Sequence, residues 1–186
     1  MSTNFAIKRS SDAGAPALSN TPGSIVNVLD WALDTTNTTS GWEIAFTATN
    51  KRAYRSRAGL RHYVRIDDTA AAGSSSSIVR AYETMTDIDT GTNGYDTSDR
   101  HCLRSAGTAY VVIRTSKWFA LFVDGDSTAA VAFWWVLAFG EMTPLIGTDS
   151  FCSALWAASS PGWTSTPGYA GWNTPHYTAN SLINLS

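Results

Sequence analysis

The chain has 186 residues, of which 44% are hydrophobic and 15% are charged, and its net charge is −2. This length suits one domain with a substantial core, and the small net charge favours neither nucleic acid nor an acidic ligand as a partner. The charged share is below the roughly 25% usual for soluble domains, so Ser, Thr, Gly and Asn, or partner chains, should cover much of the surface.

The N-terminus has no basic stretch followed by an apolar core, so no secretion signal is predicted. The longest apolar run, 129–139, is about half of the roughly 20 residues that a membrane helix needs. We therefore expect a soluble protein made in the cytoplasm. Cys102 and Cys152 should be free thiols in that compartment, although the sequence leaves a disulfide open.

The sequence predicts a polar arm over residues 1–20 and a helix directly after it. Thr21 can cap this helix, Pro22 suits its first position, and apolar residues recur at helical spacing as far as Leu33. The cap and turn formers of 34–41 should end the helix.

After the helix, apolar and polar residues alternate, which is typical of β-strands. The first strand should bury a single face, formed by Trp42, Ile44, Phe46 and Ala48. A turn at 49–51 leads to a strand over 53–57. The next two strands, 60–68 and 78–85, should pair antiparallel because a short loop joins them.

Residues 88–107 are polar and rich in turn formers, which predicts a long surface loop. Three strands follow over 109–115, 118–124 and 130–139, with a hairpin turn at 124–127. Both faces of the last strand are apolar, so this strand should be central in a sheet or meet another subunit.

The C-terminal segment, 150–186, contains no Lys, Arg, Asp or Glu. Its Pro-Gly pairs oppose a long helix, and its aromatic content is atypical of disorder. We expect an extended tail that packs against something apolar, in this domain or in a neighbour. The whole pattern predicts a mainly β domain over 21–149, an antiparallel β-sandwich or barrel with one N-terminal helix and this uncharged aromatic tail.

The stretch YETMTDIDTGTNG at 82–94 carries two aspartates, Asp87 and Asp89. As a calcium loop that starts at Asp87, it fails at the fifth, sixth and twelfth positions, and no His or further carboxylate is placed for acid–base chemistry. We interpret the stretch as a strand end and a turn whose side chains bond their own backbone. Asp67 and Asp68 end the preceding strand and need not be neighbours of the pair, so no shared metal site is predicted.

The sequence gives little support to catalysis. His62, His101 and His176 are scattered over a strand, a loop and the tail, and no nucleophile elbow or phosphate-binding glycine motif occurs. His101 and Cys102 are neighbours in the sequence, but this does not indicate a catalytic pair, since the members of a triad are brought together by the fold. We therefore predict no enzyme, no cofactor and no metal.

A basic cluster stands out within fifteen positions that contain no acid. Its members are Lys51, Arg52, Arg55, Arg57, Arg61 and Arg65. Arginine is well suited to interfaces, so the cluster could dock an acidic partner or, less favoured, nucleic acid. It could equally be a solvated strand edge protected against aggregation, and both interpretations stay open.

Aromatic residues near the C-terminus are the second candidate interface, because tryptophan and tyrosine are enriched where proteins meet. These residues are Trp134, Trp156, Trp163, Tyr169 and Trp172. Exposed aromatic faces also stack on sugar rings, which would make the tail a glycan-binding element. Its structural alternative is a lid over the core or an arm over a neighbour.

Five segments resemble, in the same order, an uncharacterised family of virion-associated structural proteins of tailed bacteriophages and prophages. They are GAPALSNTPGSIVNVLDWAL, GWEIAFTATNKRAYRS, VRIDDT, VRAYETMTDIDTGT and WFALFVDG. The resemblance covers roughly 14–140 and departs from the family at NGYDTSDRHC and in the tail beyond Asp149.

This resemblance implies a non-enzymatic structural protein of the virion, assembled in the host cytoplasm, with no catalytic residue to carry over. It would sit on the capsid as a decoration protein or on the tail as a minor component. Its expected partners are copies of itself and other virion proteins; no membrane is expected, nucleic acid is disfavoured, and a host surface glycan stays open as a partner. The alternative is a glycan- or receptor-binding module that presents Trp163, Tyr169 and Trp172.

Overall fold

The structure is a computed structural model that describes residues 5–39, 41–70, 76–92, 100–103, 109–124, 134–142, 152–160 and 176–177. These residues form one helix, α1 (Ser24–Ala32), and thirteen strands. The strands are β1 (Ala6–Arg9), β2 (Glu43–Ala48), β3 (Lys51–Arg55), β4 (Tyr63–Asp67), β5 (Ser76–Tyr82), β6 (Thr84–Met85), β7 (Gly91–Thr92), β8 (Arg100–Leu103), β9 (Tyr110–Arg114), β10 (Trp118–Asp124), β11 (Trp134–Met142), β12 (Cys152–Ser160) and β13 (His176–Tyr177).

The strands form two large antiparallel sheets, so the predicted mainly β class with one N-terminal helix is confirmed. One sheet has six strands in the order β1-β9-β10-β11-β12-β13, and the other has five in the order β2-β3-β4-β5-β8. The strands β6 and β7 form a separate small hairpin. The predicted pairing of β4 with β5 is confirmed, with Ile66 opposite Val79.

The main core joins both sheets to the helix. The five-stranded sheet contributes Tyr54 and Ile66, the six-stranded sheet contributes Phe119 and Leu137, and the helix contributes Leu29, all of them buried. Within β10 the core residues are the alternate positions Phe119, Leu121 and Val123, because successive residues of a strand point to opposite faces. Each sheet therefore has an inner face in the core and an outer face.

The helix begins later than predicted, at Ser24 rather than after a Thr21 cap. Gly23 is the N-cap residue, its φ of 87° lies in the left-handed region that favours glycine, and no capping side chain comes from the adjacent sequence. The side chain of Asp68 replaces it, since its Oδ2 accepts the Ile25 N–H at 3.0 Å. A residue 43 positions away caps the helix, which local sequence cannot reveal.

The predicted single buried face of the first strand is wrong, because a β-bulge interrupts β2. Ile44 pairs with Tyr54 and Phe46 pairs with Ala53, which leaves one extra residue between them. Ile44 therefore packs on the main core, whereas Phe46 packs on a second cluster that includes Ala53 and Tyr82. Ala48 is exposed at the strand end.

Two segments that the sequence predicts as irregular contain strands, and the predicted extended tail also adds strands to a sheet. The predicted surface loop holds β7 and also β8, which extends the five-stranded sheet by pairing with β5. The predicted polar arm holds β1 and places Leu18 in the main core with 1% exposure. At the other end of the chain, β12 pairs along its whole length with β11.

The last predicted hairpin is confirmed as a strand pair, with β10 antiparallel to β11. Asp124 pairs with Trp134, so the connection spans 125–133 and is longer than the four-residue turn predicted. The proposed turn residues 125–127 lie outside the described part of the chain. As predicted for a strand with two apolar faces, β11 is central in its sheet, between β10 and β12.

Candidate interface surfaces

The basic cluster lies along β3, β4 and the segment between them, and its cations meet acids of the same chain. Arg55 and Glu43 face each other across β2 and β3, and the Arg55 Nη2 atom lies 2.8 Å from both carboxylate oxygens of Glu43. Arg55 also donates to the Tyr63 hydroxyl at 2.8 Å and lies over that ring. Such a two-oxygen pairing holds the guanidinium in one orientation.

The centre of the cluster is a charged network of Lys51, Arg65, Asp67 and Asp89. The Lys51 Nζ atom lies 3.2 Å from Asp67 and 2.8 Å from Asp89. Arg65 contacts both carboxylates and donates from Nε to the Ile88 carbonyl at 2.8 Å. The Arg65 side chain is only 8% exposed, so this guanidinium is committed to internal partners.

The remaining members of the cluster differ in exposure. Arg52 lies 3.1 Å from Asp30 of the helix, whose other oxygen accepts the Tyr54 hydroxyl at 2.8 Å. Arg61 lies 3.0 Å from Glu43, and its side chain is 49% exposed. The Nε atom of Arg57 is buried and has no hydrogen-bond partner among the described residues. Five of the six cations are thus paired inside the chain.

The stretch 82–94 forms the β6–β7 hairpin as far as it is described, and its interpretation as a turn is confirmed. Asp87 accepts the Asp89 N–H at 2.8 Å, and the Thr90 carbonyl accepts the Thr86 N–H at 3.0 Å. However, Asp89 also meets Asp67 at the same two cations, which sequence spacing did not predict. Lys51 lies opposite Asp67 in the β3–β4 register, and this pairing was the available signal.

Three acids that pair with the basic cluster have perturbed pKa values. Burial alone would raise the pKa of Asp67, but hydrogen bonds from Thr69 and Lys51 outweigh it and hold this pKa below its ordinary value. The hydrogen bond from Lys51 is the main cause of the lowered pKa of Asp89. Asp30 shifts the other way, because burial raises its pKa more than its bonds to Tyr54 and Arg52 lower it.

The lowered pKa of Asp67 predicts that the network contributes stability above about pH 4 and loses it as the pH falls through the native pKa. We expect Asp67→Asn to be less stable than the native chain near pH 6 and to lose less on acidification to about pH 3. Urea unfolding at both pH values measures this difference. Equal acid-induced losses in both proteins would contradict the prediction.

Asp30 supplies a control, because its pKa is raised whereas that of Asp67 is lowered, so its effect on stability has the opposite pH dependence. A carboxyl group with a raised native pKa binds its proton more tightly in the folded state, so it adds stability as the pH falls. The Asp30→Asn variant should therefore lose more stability on acidification than the native chain does.

A second candidate surface is the outer face of the six-stranded sheet. Aligned residues of neighbouring strands point to the same face, and two such rows cross the sheet. One row runs from Ile7 through Ile113 and Ala120 to Ala138. The other runs from Arg9 through Val111 and Phe122 to Val136.

We call the apolar members of these two rows the outer apolar face. They are Ile7, Val111, Ile113, Ala120, Phe122, Val136 and Ala138. Phe122 is 42% exposed and Ile7 is 46% exposed, and the side chains between them are mostly half-buried. The neighbouring positions on β10 point inward, and Leu121 and Val123 are almost fully buried in the core. The charged residues Arg9 and Asp124 mark the rim of the face, and both are exposed.

At one end of this face, Phe5 adds a further exposed ring. It is 61% exposed and meets Trp118 edge-on, with the ring centroids 5.9 Å apart. Trp118 lies opposite Gly140 of β11, where a Cβ atom would stand 2.2 Å from the Cβ atom of Trp118. Glycine at this position therefore lets the two strands keep their close approach.

The aromatic residues predicted as an interface are placed only in part. Trp134 begins β11, and Trp156 lies in β12 in register with Ala138 of the outer apolar face. Trp163, Tyr169 and Trp172 lie outside the described residues. Periodicity in the sequence marks β11 as apolar on both faces, but it gives no sign that Phe122 on the neighbouring strand is exposed.

The part of the chain that the structure describes contains neither a candidate metal site nor a membrane-spanning helix. Its histidines, cysteines and acids form no group of three or more that could hold a metal ion. No helix within the described ranges has the length and apolar character needed to cross a bilayer. Comparisons with protein-family models, with curated proteins and with solved structures gave no significant match.

Proposed function

We propose that this protein is a non-enzymatic structural subunit of a tailed-phage virion, attached to the capsid or to the tail through contacts between protein surfaces. The observation that carries the proposal is the outer apolar face, on which Phe122 and Ile7 are exposed. Contiguous exposed apolar surface of this kind marks sites that bind other proteins. The resemblance of five segments to virion proteins supports the phage particle as the place of binding.

We infer that the two sheets form a β-sandwich, with α1 covering part of the core. The shared core cluster supports this arrangement, because inner residues of both sheets pack in it with the helix. In a sandwich the inner faces interdigitate, so each outer face is supported and kept rigid from behind. A rigid outer face suits a subunit that must present the same surface in every copy.

The basic cluster has a smaller role in this proposal than the outer apolar face. Five of its six cations are held by Glu43, Asp30, Asp67 and Asp89 of the same chain, so an acidic partner would have to displace these contacts. Arg61 is the exception, because half of its side chain is exposed. The partners we expect are copies of this chain and other virion proteins.

The proposal is tested with particles of the phage or induced prophage that encodes this chain, prepared from a strain in which its gene is deleted. The purified full chain should sediment with these particles, and glucose- and galactose-containing oligosaccharides should not compete. A chain that stays in the supernatant would overturn the proposal. A monomer that binds an oligosaccharide and loses it on Trp172→Ala would establish the glycan-binding alternative instead.

A further inference from the structure

We propose that the free edge of β1 pairs antiparallel with the same edge of a second copy of this chain, so that two six-stranded sheets join into one. This inference rests on the proposed function, because it specifies how one structural subunit contacts the next. The pairing involves Phe5, which directly precedes β1, and the strand residues Ala6–Arg9.

The hydrogen-bond pattern of β1 leaves every second residue open toward one edge of the sheet. Among the described strands, β1 has one neighbour, β9. The N–H of Ser10, directly after β1, donates to the Tyr110 carbonyl at 3.0 Å. Because an antiparallel ladder bonds every second residue, Lys8 and Ala6 bond β9 as Ser10 does. The N–H and C=O groups of the residues between them therefore point away from β9.

These outward groups are closed at one end of β1 and open at the other. The Arg9 N–H donates to Asp12 Oδ2 at 2.8 Å, and the Arg9 carbonyl accepts the Asp12 N–H at 3.0 Å, so a turn of the same chain satisfies both groups. Within the described residues no such turn reaches Phe5 or Ile7. Their N–H and C=O groups remain available to a strand from another chain.

A second copy fits this edge because the open groups are complementary to themselves. With a two-fold axis at Ala6, Phe5 of each copy lies opposite Ile7 of the other. Each of these two pairs exchanges two hydrogen bonds, so all the open groups of both copies are satisfied. An axis at Ile7 would instead require the Arg9 groups that Asp12 already holds. The hydrogen-bond pattern thus selects one register.

The side chains agree with the same register. Phe5 is 61% exposed and Ile7 is 46% exposed, and the pairing packs each of them against the other residue of the partner copy. The small Ala6 lies at the axis, where two Cα atoms approach to ~4.5 Å. Lys8 and Arg9 are at least ~13 Å along the strands from their counterparts, beyond the screening length of ~8 Å at physiological salt.

The contact joins the outer apolar faces of two copies, and we expect it to be weak. The two-fold axis of an antiparallel pair is perpendicular to the sheet, so both outer faces lie on the same side of the joined sheet. A pairing of about three residues per strand buries less than the ~1,200 Å² typical of stable interfaces. Free chains should therefore exchange between monomer and dimer, whereas copies held side by side on a particle gain from their high local concentration.

Sedimentation equilibrium of the full chain measures the pairing in solution. We expect a monomer–dimer equilibrium with a Kd below ~1 mM. Ile7→Pro should be monomeric at the same concentrations, because it removes a donor of the open edge but no bond to β9. Leu60→Ser is the control, since Leu60 is exposed in the connection between β3 and β4, and it should dimerise as the native chain does.

Cysteine substitutions test the register. Ala6→Cys lies on the two-fold axis, where a Cα separation of ~4.5 Å falls within the roughly 4.4–6.8 Å that a disulfide spans. On mild oxidation this variant should form a covalent dimer linked through its N-terminal peptides, which mass spectrometry identifies. Lys8→Cys is the matched control on the same side of β1, because its Cα atoms lie at least ~13 Å apart in this register and cannot be bridged.

Three results would overturn the inference. They are a native chain that is monomeric at ~1 mM, an Ile7→Pro variant that dimerises as the native chain does, and an Ala6→Cys variant that is linked no more than Lys8→Cys. If Ile7→Pro does not fold by circular dichroism, the two cysteine variants decide the question.

The outcome is separable from that of the proposed function. A native chain that is monomeric yet sediments with phage particles would remove the edge pairing and leave the virion role in place. A native dimer that cross-links as expected but does not bind particles would remove the virion role and leave the edge pairing in place.

Discussion

Asp68→Ala is expected to lower the free energy of unfolding by about 3–4 kcal/mol. The Asp68 side chain is fully buried, and its two oxygens accept bonds from the Ile25 N–H at the start of the helix and from the Ser77 hydroxyl of β5. Alanine would leave both donors buried without this acceptor, and each such loss costs about 1–3 kcal/mol. One carboxylate thus fastens α1 to the five-stranded sheet.

Asp68→Asn should lower the free energy of unfolding by less than Asp68→Ala does. Its side chain keeps one oxygen in nearly the same place, so it can satisfy one of the two donors, and we expect a loss of about 1–2 kcal/mol. Urea unfolding followed by circular dichroism measures both variants against the native chain. An Asp68→Ala variant as stable as Asp68→Asn would contradict the capping role.

Trp42→Ala is expected to cost about 3–5 kcal/mol. Trp42 lies just before β2, is fully buried, and packs edge-on against Phe119 and against Phe139 of the opposite sheet. Its indole N–H donates to the Thr115 carbonyl at 2.9 Å. Alanine would open a cavity between the sheets and would also remove a buried hydrogen bond.

Trp31→Ala serves as the control for this substitution. Trp31 is half-buried at the edge of the core, where it meets Tyr110 edge-on and Lys8 lies over its ring. Because less apolar area is withdrawn from water there, we expect a loss of about 1–2 kcal/mol. Thermal unfolding of both variants gives the comparison, and losses of equal size would show that Trp42 does not join the sheets.

Local patterning predicted much of the strand content. The alternation through β9 and β10 and the double apolar face of β11 follow directly from which side chains point into the core and which lie outside it. The turn before β3 is another case, since Asn50 has a φ of 55° and asparagine tolerates this conformation. In each case the residues that decide the structure are neighbours in the chain.

The structural features that local sequence patterns do not predict depend on contacts between residues that are distant in the chain. Asp68 replaces a local helix cap from 43 positions away, and the bulge between Ile44 and Phe46 depends on how β3 pairs with β2. The strand β8 is polar in sequence and forms because β5 offers it an open edge. Such elements are set by tertiary context, which overrides local preference.

The candidate surfaces also combine features that the sequence reveals with features that only the fold reveals. Counting charges identified the basic cluster, but only the register of β3 with β4 shows that Lys51 faces Asp67. The hydrophobic pattern of β11 pointed to a second apolar face, whereas the exposure of Phe122 and Ile7 depends on strand order. A surface is a property of assembled strands, so sequence alone could indicate its composition but not its extent.

Electron microscopy of native and gene-deleted particles tests the virion assignment most directly. We predict a density of fixed stoichiometry and symmetry on the capsid or the tail of native particles, into which the two sheets fit. This density should be absent from the gene-deleted particles. Identical maps from both particles, with no copy of this chain detected in the native ones by mass spectrometry, would contradict it.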